Sequence, residues 1–182
     1  LPVLYTGGIH LDGFCDTVDA LASRAEPERK REILKDPHVG AFAVIGVSAY
    51  LIAHFALGTE LIFDDRDAFL LFLIPVLSRA VAGYVSITAE SGGDGLLAAM
   101  RGAAADRPAR RTLEIWGCLV CAAMLAISPW TGLLIAIAAV LCGWFVRRMA
   151  KRQFGGMSGD LAGYLVQISE LAMLVSLVLT QR

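Results

Sequence analysis

Three aspartates near the start of the chain have the residue type and spacing of a metal site. Asp12, Asp16 and Asp19 lie at positions i, i+4 and i+7, so a helix would place their carboxylates on one stripe. Like charges at this spacing weaken a helix by about 0.2–0.5 kcal/mol, a cost that a bound cation would offset. Carboxylate oxygens suit a hard ion such as Mg²⁺. The pattern predicts a magnesium site, and the alternative is an acidic helix face in contact with water.

A glycine-rich loop near the end of the chain is the second candidate. Its members are Gly155, Gly156, Ser158, Gly159 and Asp160. Glycines allow tight turns and close approach of the backbone to a ligand, and Asp160 would lie at the N-terminus of a long helix, where unpaired amides attract anions. Two interpretations stay open. Asp160 is a helix N-cap, or the loop is a phosphate cradle in which Asp160 is a metal ligand or a base.

Two charged residues, Arg79 and Glu170, fall inside apolar segments. A carboxylate at the centre of a bilayer costs at least about 2.5 kcal/mol on insertion scales, so Glu170 should have a partner, and Arg79 is the obvious candidate. The alternative is that both residues line a hydrated cavity, in which Arg79 binds a phosphate through two parallel hydrogen bonds. His54 has no obvious partner and is interpreted as a packing residue.

The composition places these residues in a membrane. Hydrophobic residues make up 57% of the chain and charged residues 18%, against about 25% charged residues in an average domain, and the mean hydropathy is +0.63. The net charge of −1 excludes a strongly basic nucleic-acid surface. The apolar runs predict an all-α, polytopic integral membrane protein. About five helical segments are predicted, at residues 39–63, 68–88, 113–128, 130–146 and 161–180.

The third and fourth segments are short and meet at Pro129. At 1.5 Å per residue, about 16 residues span only about 24 Å, less than the hydrocarbon core of about 30 Å. These two segments are therefore predicted to form either a tight spanning hairpin or a re-entrant pair.

Lysine and arginine are unevenly distributed between the loops. Thirteen of the 16 lie in three alternate loops, within residues 24–35, 101–111 and 147–152. This bias predicts that the three loops face the cytoplasm.

The chain is interpreted as one membrane-embedded domain. Its residues 1–38 would be a cytoplasmic part with the acidic motif and an amphipathic helix lying on the leaflet at residues 25–36, and residues 39–182 the membrane helices with the loops that carry the site.

Motifs along nearly the whole chain resemble those of the cobalamin synthase family, the adenosylcobinamide-GDP ribazoletransferases. They are GGIHLDGFCDTVDA at residues 7–20, EILKDPHVG at 32–40, GGMSGDLAG at 155–163 and SEL at 169–171, with the pair Ser78–Arg79 in the second segment. Family members usually carry a further membrane-embedded region before the first motif. The resemblance therefore implies that this chain lacks its N-terminal region.

The resemblance implies a Mg²⁺-dependent transferase of the bacterial inner membrane with its active site on the cytoplasmic face. It would join adenosylcobinamide-GDP to α-ribazole or its 5′-phosphate and release GMP, closing the lower nucleotide loop of the corrinoid. The lipid bilayer is an expected partner and nucleic acid is not. Other enzymes of nucleotide-loop assembly, or a second copy of this chain, are compatible with the resemblance.

The roles implied by the resemblance fall on matching positions. The metal would be bound by Asp12, Asp16 and Asp19. The catalytic residues would be Asp16, Asp160 and His10. The substrates would be bound by Lys35, Asp36, Arg79, Gly155, Gly156, Ser158 and Gly159. Spacing leaves open which carboxylate is the base.

Two other classes of protein stay open. The CDP-alcohol phosphotransferases also use aspartates and metal at the membrane face. Their signature continues as D-G-x-x-A-R, whereas Asp12-Gly13 is followed here by F-C-D-T. A transporter or ion-binding membrane protein would have its site at Arg79 and Glu170, and it would leave the acidic motif and the glycine-rich loop unexplained.

Overall fold

The structure is a computed structural model that describes residues 2–62, 64–92 and 107–181. Within these ranges the chain is all-α, as predicted, and one β-bridge joins Ser91 to Met157. The helices in chain order are α1 Pro2–Tyr5, α2 Ile9–Ala22, α3 Pro27–Ile33, α4 Ala41–Glu60, α5 Asp65–Thr88, α6 Arg107–Ile127, α7 Pro129–Phe154 and α8 Gly159–Thr180.

Four of these helices, α4, α5, α7 and α8, are long and apolar enough to cross a membrane. The prediction of a polytopic membrane protein is confirmed, with a number of spans near the predicted five. The charged first turns of α6, which contain Arg110, Arg111 and Glu114, set it apart from the four. Large apolar side chains such as Phe55, Phe72 and Trp144 are exposed on the bundle, which is expected of helices that face lipid.

Helices α4 to α8 run in alternate directions. At one end of the bundle, Arg147 of α7 donates to the Thr88 carbonyl oxygen at the C-terminus of α5, at 3.1 Å. At the other end, the Ile62 amide after α4 donates to Gln181 Oε1 after α8, at 3.0 Å. The end that contains Thr88 and Arg147 is called the basic end, because the described parts of the three basic stretches lie there. Residues 101–106 of the second stretch lie outside the described residues.

Helices α6 and α7 are longer than the apolar runs predicted. Helix α7 continues through the basic stretch to Phe154, because lysine and arginine are good helix formers. Its 26 residues give a length of about 39 Å, so the prediction of a segment of about 24 Å was wrong. Pro129 starts α7, and a Cβ on Gly132 would lie 2.5 Å from the Met124 carbonyl carbon. The two helices therefore form a tight hairpin.

Helix α8 is the centre of the bundle, packed against α2, α4, α5 and α7. Its side chains Leu161, Leu165, Met173 and Leu177 are fully buried, whereas most of α4 is exposed. A helix that is apolar on all sides belongs in the interior. The polar residues that α8 does carry must therefore find partners on the surrounding helices.

The amphipathic segment at residues 25–36 forms the short helix α3, which docks on the end of α7. Lys30 is buried, and its Nζ donates to Gln153 Oε1. Arg31 donates to the Phe154 carbonyl oxygen at 3.0 Å. These basic groups offset the partial negative charge at the C-terminus of α7. The segment therefore packs on the end of α7, and its predicted position on the leaflet stays a prediction.

Candidate active site

Helices α2 and α8 cross in close contact at the basic end. A Cβ on Gly13 would lie 2.7 Å from the Asp160 Cα, and a Cβ on Gly163 would lie 3.2 Å from the His10 Cα. A side chain on Gly13 would therefore push the two helices apart. The order of these two contacts shows that α2 runs antiparallel to the first turns of α8. The acidic motif and the glycine-rich motif meet at this crossing.

The carboxylates of Asp12, Asp16 and Asp160 are neighbours at the crossing and are called the acidic cluster. Asp12 is exposed, whereas Asp16 and Asp160 are half-buried. Burial, followed by the negative charges of the neighbouring aspartates, raises the pKa of Asp16 to about 6. Within residues 2–62, 64–92 and 107–181, no three His, Cys, Asp or Glu side chains are arranged to hold a metal ion. The cluster concentrates negative charge in an open arrangement.

Asp19, the third aspartate of the motif, binds the backbone at the start of α4. Its Oδ2 accepts from the Gly40 amide at 2.7 Å, and its Oδ1 accepts from the Ala43 amide at 2.8 Å. The first amides of a helix have no partner within the helix, and Gly40 has no side chain with which to cap them. Asp19 therefore acts as an N-cap supplied by another helix. Asp12 and Asp16 are the members of the predicted metal triad that remain available to a ligand.

The fit between Asp19 and Gly40 joins the first two motifs. A Cβ on Gly40 would lie 2.6 Å from both carboxylate oxygens of Asp19. Any side chain at this position would displace the carboxylate from the amides it binds. The glycine that ends EILKDPHVG is thus explained by a contact with the last acid of the first motif.

The glycine-rich loop is held against the chain that follows α5. Gly155 ends α7 with a φ of +75°, a conformation that glycine adopts at little cost. A Cβ on Gly156 would lie 2.4 Å from the Ser91 carbonyl carbon, and the Met157 amide donates to the Glu90 carbonyl oxygen at 2.8 Å. The turn and the neighbouring backbone explain both glycines, and their predicted contact with substrate stays a prediction.

Ser158 is the residue that caps α8. Its Oγ accepts from the Leu161 amide at 3.3 Å, so the interpretation of Asp160 as the N-cap was wrong. Asp160 lies in the first turn of α8, where the helix dipole favours a negative charge, and its Oδ2 accepts from the Ser158 hydroxyl at 3.5 Å. Gly159 is exposed, and a Cβ there would meet nothing within 4 Å. This first turn is therefore open to a ligand.

Arg79 and Glu170 form the ion pair that the sequence predicts. Arg79 Nη1 lies 2.5 Å from Glu170 Oε1, and the Ser78 hydroxyl donates to the same oxygen at 3.0 Å. Glu170 is buried, whereas Arg79 is half-buried and also donates to the Pro75 carbonyl oxygen at 2.8 Å. The pair joins α5 to α8, and phosphate binding by Arg79 stays a prediction.

His10 lies at the start of α2, close to this ion pair. Burial lowers the pKa of His10, and the positive charge of Arg79 lowers it further, while Glu170 acts in the opposite direction. Its Nδ1 is buried and has no hydrogen-bond partner among the described residues. Such an atom is satisfied by water or by a ligand. The structure thus places His10 near the ion pair with one ring nitrogen unpaired among the described residues, and its predicted catalytic role stays a prediction.

Aromatic residues that the sequence did not single out fix the position of the acidic helix. Phe14 is buried between Tyr50 of α4 and Tyr164 of α8, with ring centroids 5.2 and 5.5 Å apart. The Tyr50 hydroxyl donates to Gln167 Oε1. Tyr50 and Gln167 are polar residues within apolar segments, and a buried polar group needs a partner. That requirement was the available signal for this contact.

Lys35 and Asp36 are exposed between α3 and α4. Asp36 Oδ1 accepts from the His38 amide at 3.0 Å and lies 2.7 Å from the His38 ring Nδ1. These hydrogen bonds hold the pKa of Asp36 below its usual value. The described contacts do not bring Lys35 or Asp36 into the acidic cluster, and their predicted role in substrate binding stays a prediction.

The fold and the site define an α-helical, multi-pass membrane protein with an acidic cluster at one end of its bundle. Compared with known families, residues 1–178 match the family described as cobalamin-5-phosphate synthase (CobS). The chain belongs to this family, as its motifs predicted. No solved structure matches the chain.

Individual relatives agree with this assignment. The chain is 36% identical to adenosylcobinamide-GDP ribazoletransferase of Lachnoclostridium phytofermentans. The alignment of 184 positions covers 100% of the chain and 69% of that protein. The protein of the same name from Clostridium perfringens strain 13 is 36% identical over 93% of the chain and 68% of its own length. That from Pseudomonas savastanoi pv. phaseolicola is 33% identical over 97% of the chain and 72% of its length.

Proposed function

We propose that this protein is a membrane transferase that joins adenosylcobinamide-GDP to α-ribazole or its 5′-phosphate. A ribazole hydroxyl attacks the phosphorus atom attached to cobinamide, and the bond from that phosphorus to the oxygen of GMP breaks. GMP leaves, the hydroxyl proton passes to a base, and the product is adenosylcobalamin or its phosphate. The substrates are those in the names of the relatives.

One observation carries the location of the site: the crossing of α2 and α8 at Gly13, where Asp12 and Asp16 meet Asp160. These carboxylates come from opposite ends of the chain. Keeping like charges together in a half-buried place is unfavourable unless a cation or a ligand offsets their repulsion. A metal ion bound at this place together with a pyrophosphate would offset the repulsion.

The acidic cluster fits Mg²⁺ by its donor atoms and its charge. Magnesium keeps several waters and is usually bound through one or two carboxylates together with substrate phosphates. One or two of Asp12, Asp16 and Asp160 would be enough for such an open site, and Asp19 is not needed, since its oxygens bind amides. When bound, Mg²⁺ would neutralise the pyrophosphate and stabilise the departing GMP.

Residues of the chain would accept the proton, orient the reacting groups and bind a phosphate oxygen. Asp16 and Asp160 are half-buried carboxylates, and either can accept the proton of the ribazole hydroxyl. His10, whose Nδ1 lacks a partner among the described residues, orients a phosphate or a carboxylate. The exposed first turn of α8 at Gly159 offers backbone amides to a phosphate oxygen.

The site faces the cytoplasm of a bacterial inner membrane in this proposal. The basic residues of α3 and of the C-terminal turns of α7 lie at the same end of the bundle as the acidic cluster. Lysine and arginine mark the cytoplasmic side of a membrane protein. Nucleotide-linked substrates of the cytoplasm would then reach the site without crossing the bilayer.

The test is turnover by the protein reconstituted in liposomes. Adenosylcobinamide-GDP and α-ribazole are supplied with Mg²⁺, with chelator, and with chelator followed by excess Mg²⁺. We expect adenosylcobalamin and GMP in equal amounts with Mg²⁺, none with chelator, and recovery on restoring the metal. Absence of product from inserted, folded protein would overturn the proposal.

The site is tested with Asp16→Asn, matched to Asp65→Asn. Asp65 is an exposed acid at the opposite end of the bundle, so its substitution makes the same change in charge far from the cluster. Asp16→Asn should reduce turnover by at least about 100-fold, the lower range for a lost general base, while Asp65→Asn remains active. Equal activity of the two variants would remove Asp16 from the site.

A further inference from the structure

A concavity lined by none of the residues of the acidic cluster lies between three of the long helices. It is a cavity of about 450 Å³ between α5, α6 and α7, and it is called the α5–α7 groove. Its walls include Leu77, Val81, Leu113, Cys121 and Val140. The volume falls within the roughly 300–1,000 Å³ typical of small-molecule sites. The acidic cluster, in contrast, belongs to α2 and α8.

Small residues give the groove its room. Ala80, Gly117, Ala136, Ala139 and Gly143 line it, and a Cβ on Gly117 would meet nothing within 4 Å. Small residues can also let helices pack closely without leaving a gap. This happens at Gly143 of α7, where an added Cβ would lie 2.9 Å from Val81 Cγ1 of α5. The helices are in contact behind the groove and stand apart at Gly117. Apolar walls with small side chains suit a narrow apolar ligand.

The mouth of the groove is polar and positively charged. Tyr84, Glu114 and Arg147 line it at the basic end. The Arg110 guanidinium lies 5.7 Å from the centre of the Tyr84 ring, and its Nε is 2.9 Å from Glu114 Oε1. Arg147 is exposed and donates to two neutral groups, the carbonyl and hydroxyl oxygens of Thr88. Among the described residues, Glu114 pairs with Arg110 and Glu90 pairs with Lys151, so Arg147 supplies the excess positive charge.

We propose that the α5–α7 groove binds one acyl chain of an anionic phospholipid, whose phosphate is held by Arg147 and Arg110. The apolar walls run from the mouth toward the middle of the bundle, as an acyl chain runs from its headgroup. The arginines lie at the end where headgroups would lie, and their net charge matches a phosphodiester. A headgroup with no cation of its own, such as phosphatidylglycerol, fits this mouth better than phosphatidylcholine.

The test is lipid retention measured by native mass spectrometry on the whole protein. The protein is released from nanodiscs that contain equal amounts of phosphatidylglycerol and phosphatidylcholine. We expect one bound phosphatidylglycerol per chain in the wild type. Gly117→Leu fills the groove and should lower retention to the level of phosphatidylcholine. The matched control is Gly58→Leu, because a Cβ on Gly58 of α4 also meets nothing within 4 Å.

The headgroup contact is tested with arginine variants. A basic residue near a membrane surface contributes about 1 kcal/mol to the binding of anionic lipid, so Arg147→Gln should weaken phosphatidylglycerol binding about fivefold. Arg152→Gln, an exposed residue further along α7, should leave binding unchanged. Equal losses in the two variants would show attraction to the surface in general and overturn the proposed site.

Two further outcomes would overturn the proposal. One is equal retention of the two lipids by the wild type. The other is a Gly117→Leu variant that keeps its phosphatidylglycerol but has a raised KM for α-ribazole, which would assign the groove to the acceptor. If Gly117→Leu does not fold, Ala136→Leu on the opposite wall takes its place. Because lipid retention is measured without turnover, failure here is distinguishable from failure of the proposed reaction.

Discussion

The two carboxylate oxygens of Asp19 supply α4 with the cap that Gly40 cannot provide. A serine or asparagine at position 40 would cap a helix in most contexts. Here its Cβ would lie 2.6 Å from the Asp19 carboxylate. The start of a membrane helix is therefore fixed by an acid of the helix that carries the candidate site. Stability of α4 and placement of the acidic cluster depend on the same side chain.

Asp19→Ala should lower the free energy of unfolding by roughly 1–2 kcal/mol, the range for a lost N-cap. Asp12→Ala is the matched variant, since Asp12 is exposed and its removal lowers repulsion. The measurement is the melting temperature in detergent with chelator and then with Mg²⁺. Asp19→Ala should melt lower in both but keep the stabilisation by Mg²⁺. A loss seen only with Mg²⁺ would make Asp19 a metal ligand.

The contribution of Asp16 to the stability of the metal-free protein should fall as pH rises from about 4 to about 6. The folded-state pKa of Asp16, about 6, exceeds the ordinary value of 3.8, so the folded protein holds this proton more tightly than the unfolded chain. The stabilisation is present below the lower value and is lost as pH passes the higher one. Melting curves with chelator measure it. A slope that is the same in Asp16→Asn would contradict this origin.

At the scale of helices, the crossing of α2 and α8 determines where the acidic cluster forms. Gly13 lets α2 approach the Asp160 backbone, and Phe14 beside it is held between Tyr50 and Tyr164. The helix is thus positioned both by the absence of one side chain and by the packing of the next. Small residues at a helix crossing allow such close approach in membranes.

Gly13→Ala should destabilise the protein and abolish turnover. The added methyl would lie 2.7 Å from the Asp160 Cα, and overpacking of this kind costs about 1–3 kcal/mol. Gly58→Ala is the control, because it makes the same change in helix propensity in α4 where the methyl meets nothing. Melting temperature and turnover are measured together. If Gly13→Ala is as stable and active as Gly58→Ala, the two helices do not cross as described.

Glu170→Gln should destabilise the bundle by up to about 3 kcal/mol, because it leaves Arg79 partly buried without its counter-charge. That value is the low end for a broken buried pair, since the Arg79 side chain is 34% exposed. The double variant Arg79→Met, Glu170→Met should recover much of the loss. A double-mutant cycle of unfolding free energies measures the coupling. Additive losses would mean that the two residues do not interact.

For the whole molecule, hydropathy and charge predicted the membrane helices and the end of the bundle at which the basic residues lie. The apolar runs located the membrane helices, and the basic residues predicted the end of the bundle at which the acidic cluster lies. The end of α7 was placed too early because apolarity stops at Arg147 while the helix continues. The partners of Asp19 and Gly156 were missed because Gly40 and Ser91 are brought to them by tertiary packing. The Arg79–Glu170 pair was predicted since a membrane offers each few other partners.

Orientation in the membrane can be tested on a variant without native cysteines. Arg152→Cys and Asp65→Cys place single thiols at opposite ends of the bundle, at exposed positions. A membrane-impermeant maleimide should label Arg152→Cys only in inside-out vesicles and Asp65→Cys only in intact spheroplasts. The reverse pattern would place the acidic cluster outside the cytoplasm.

The antiparallel packing of α2 on α8 has a consequence for the timing of synthesis. Gly13 and Asp160 are partners across roughly 150 residues of chain, which a ribosome takes on the order of ten to thirty seconds to add. During that interval α2 has been synthesised, but α8, the central helix against which it packs, has not. A nascent chain that stops before α8 therefore carries Asp12 and Asp16 but lacks Asp160, so the acidic cluster forms only after translation has reached α8.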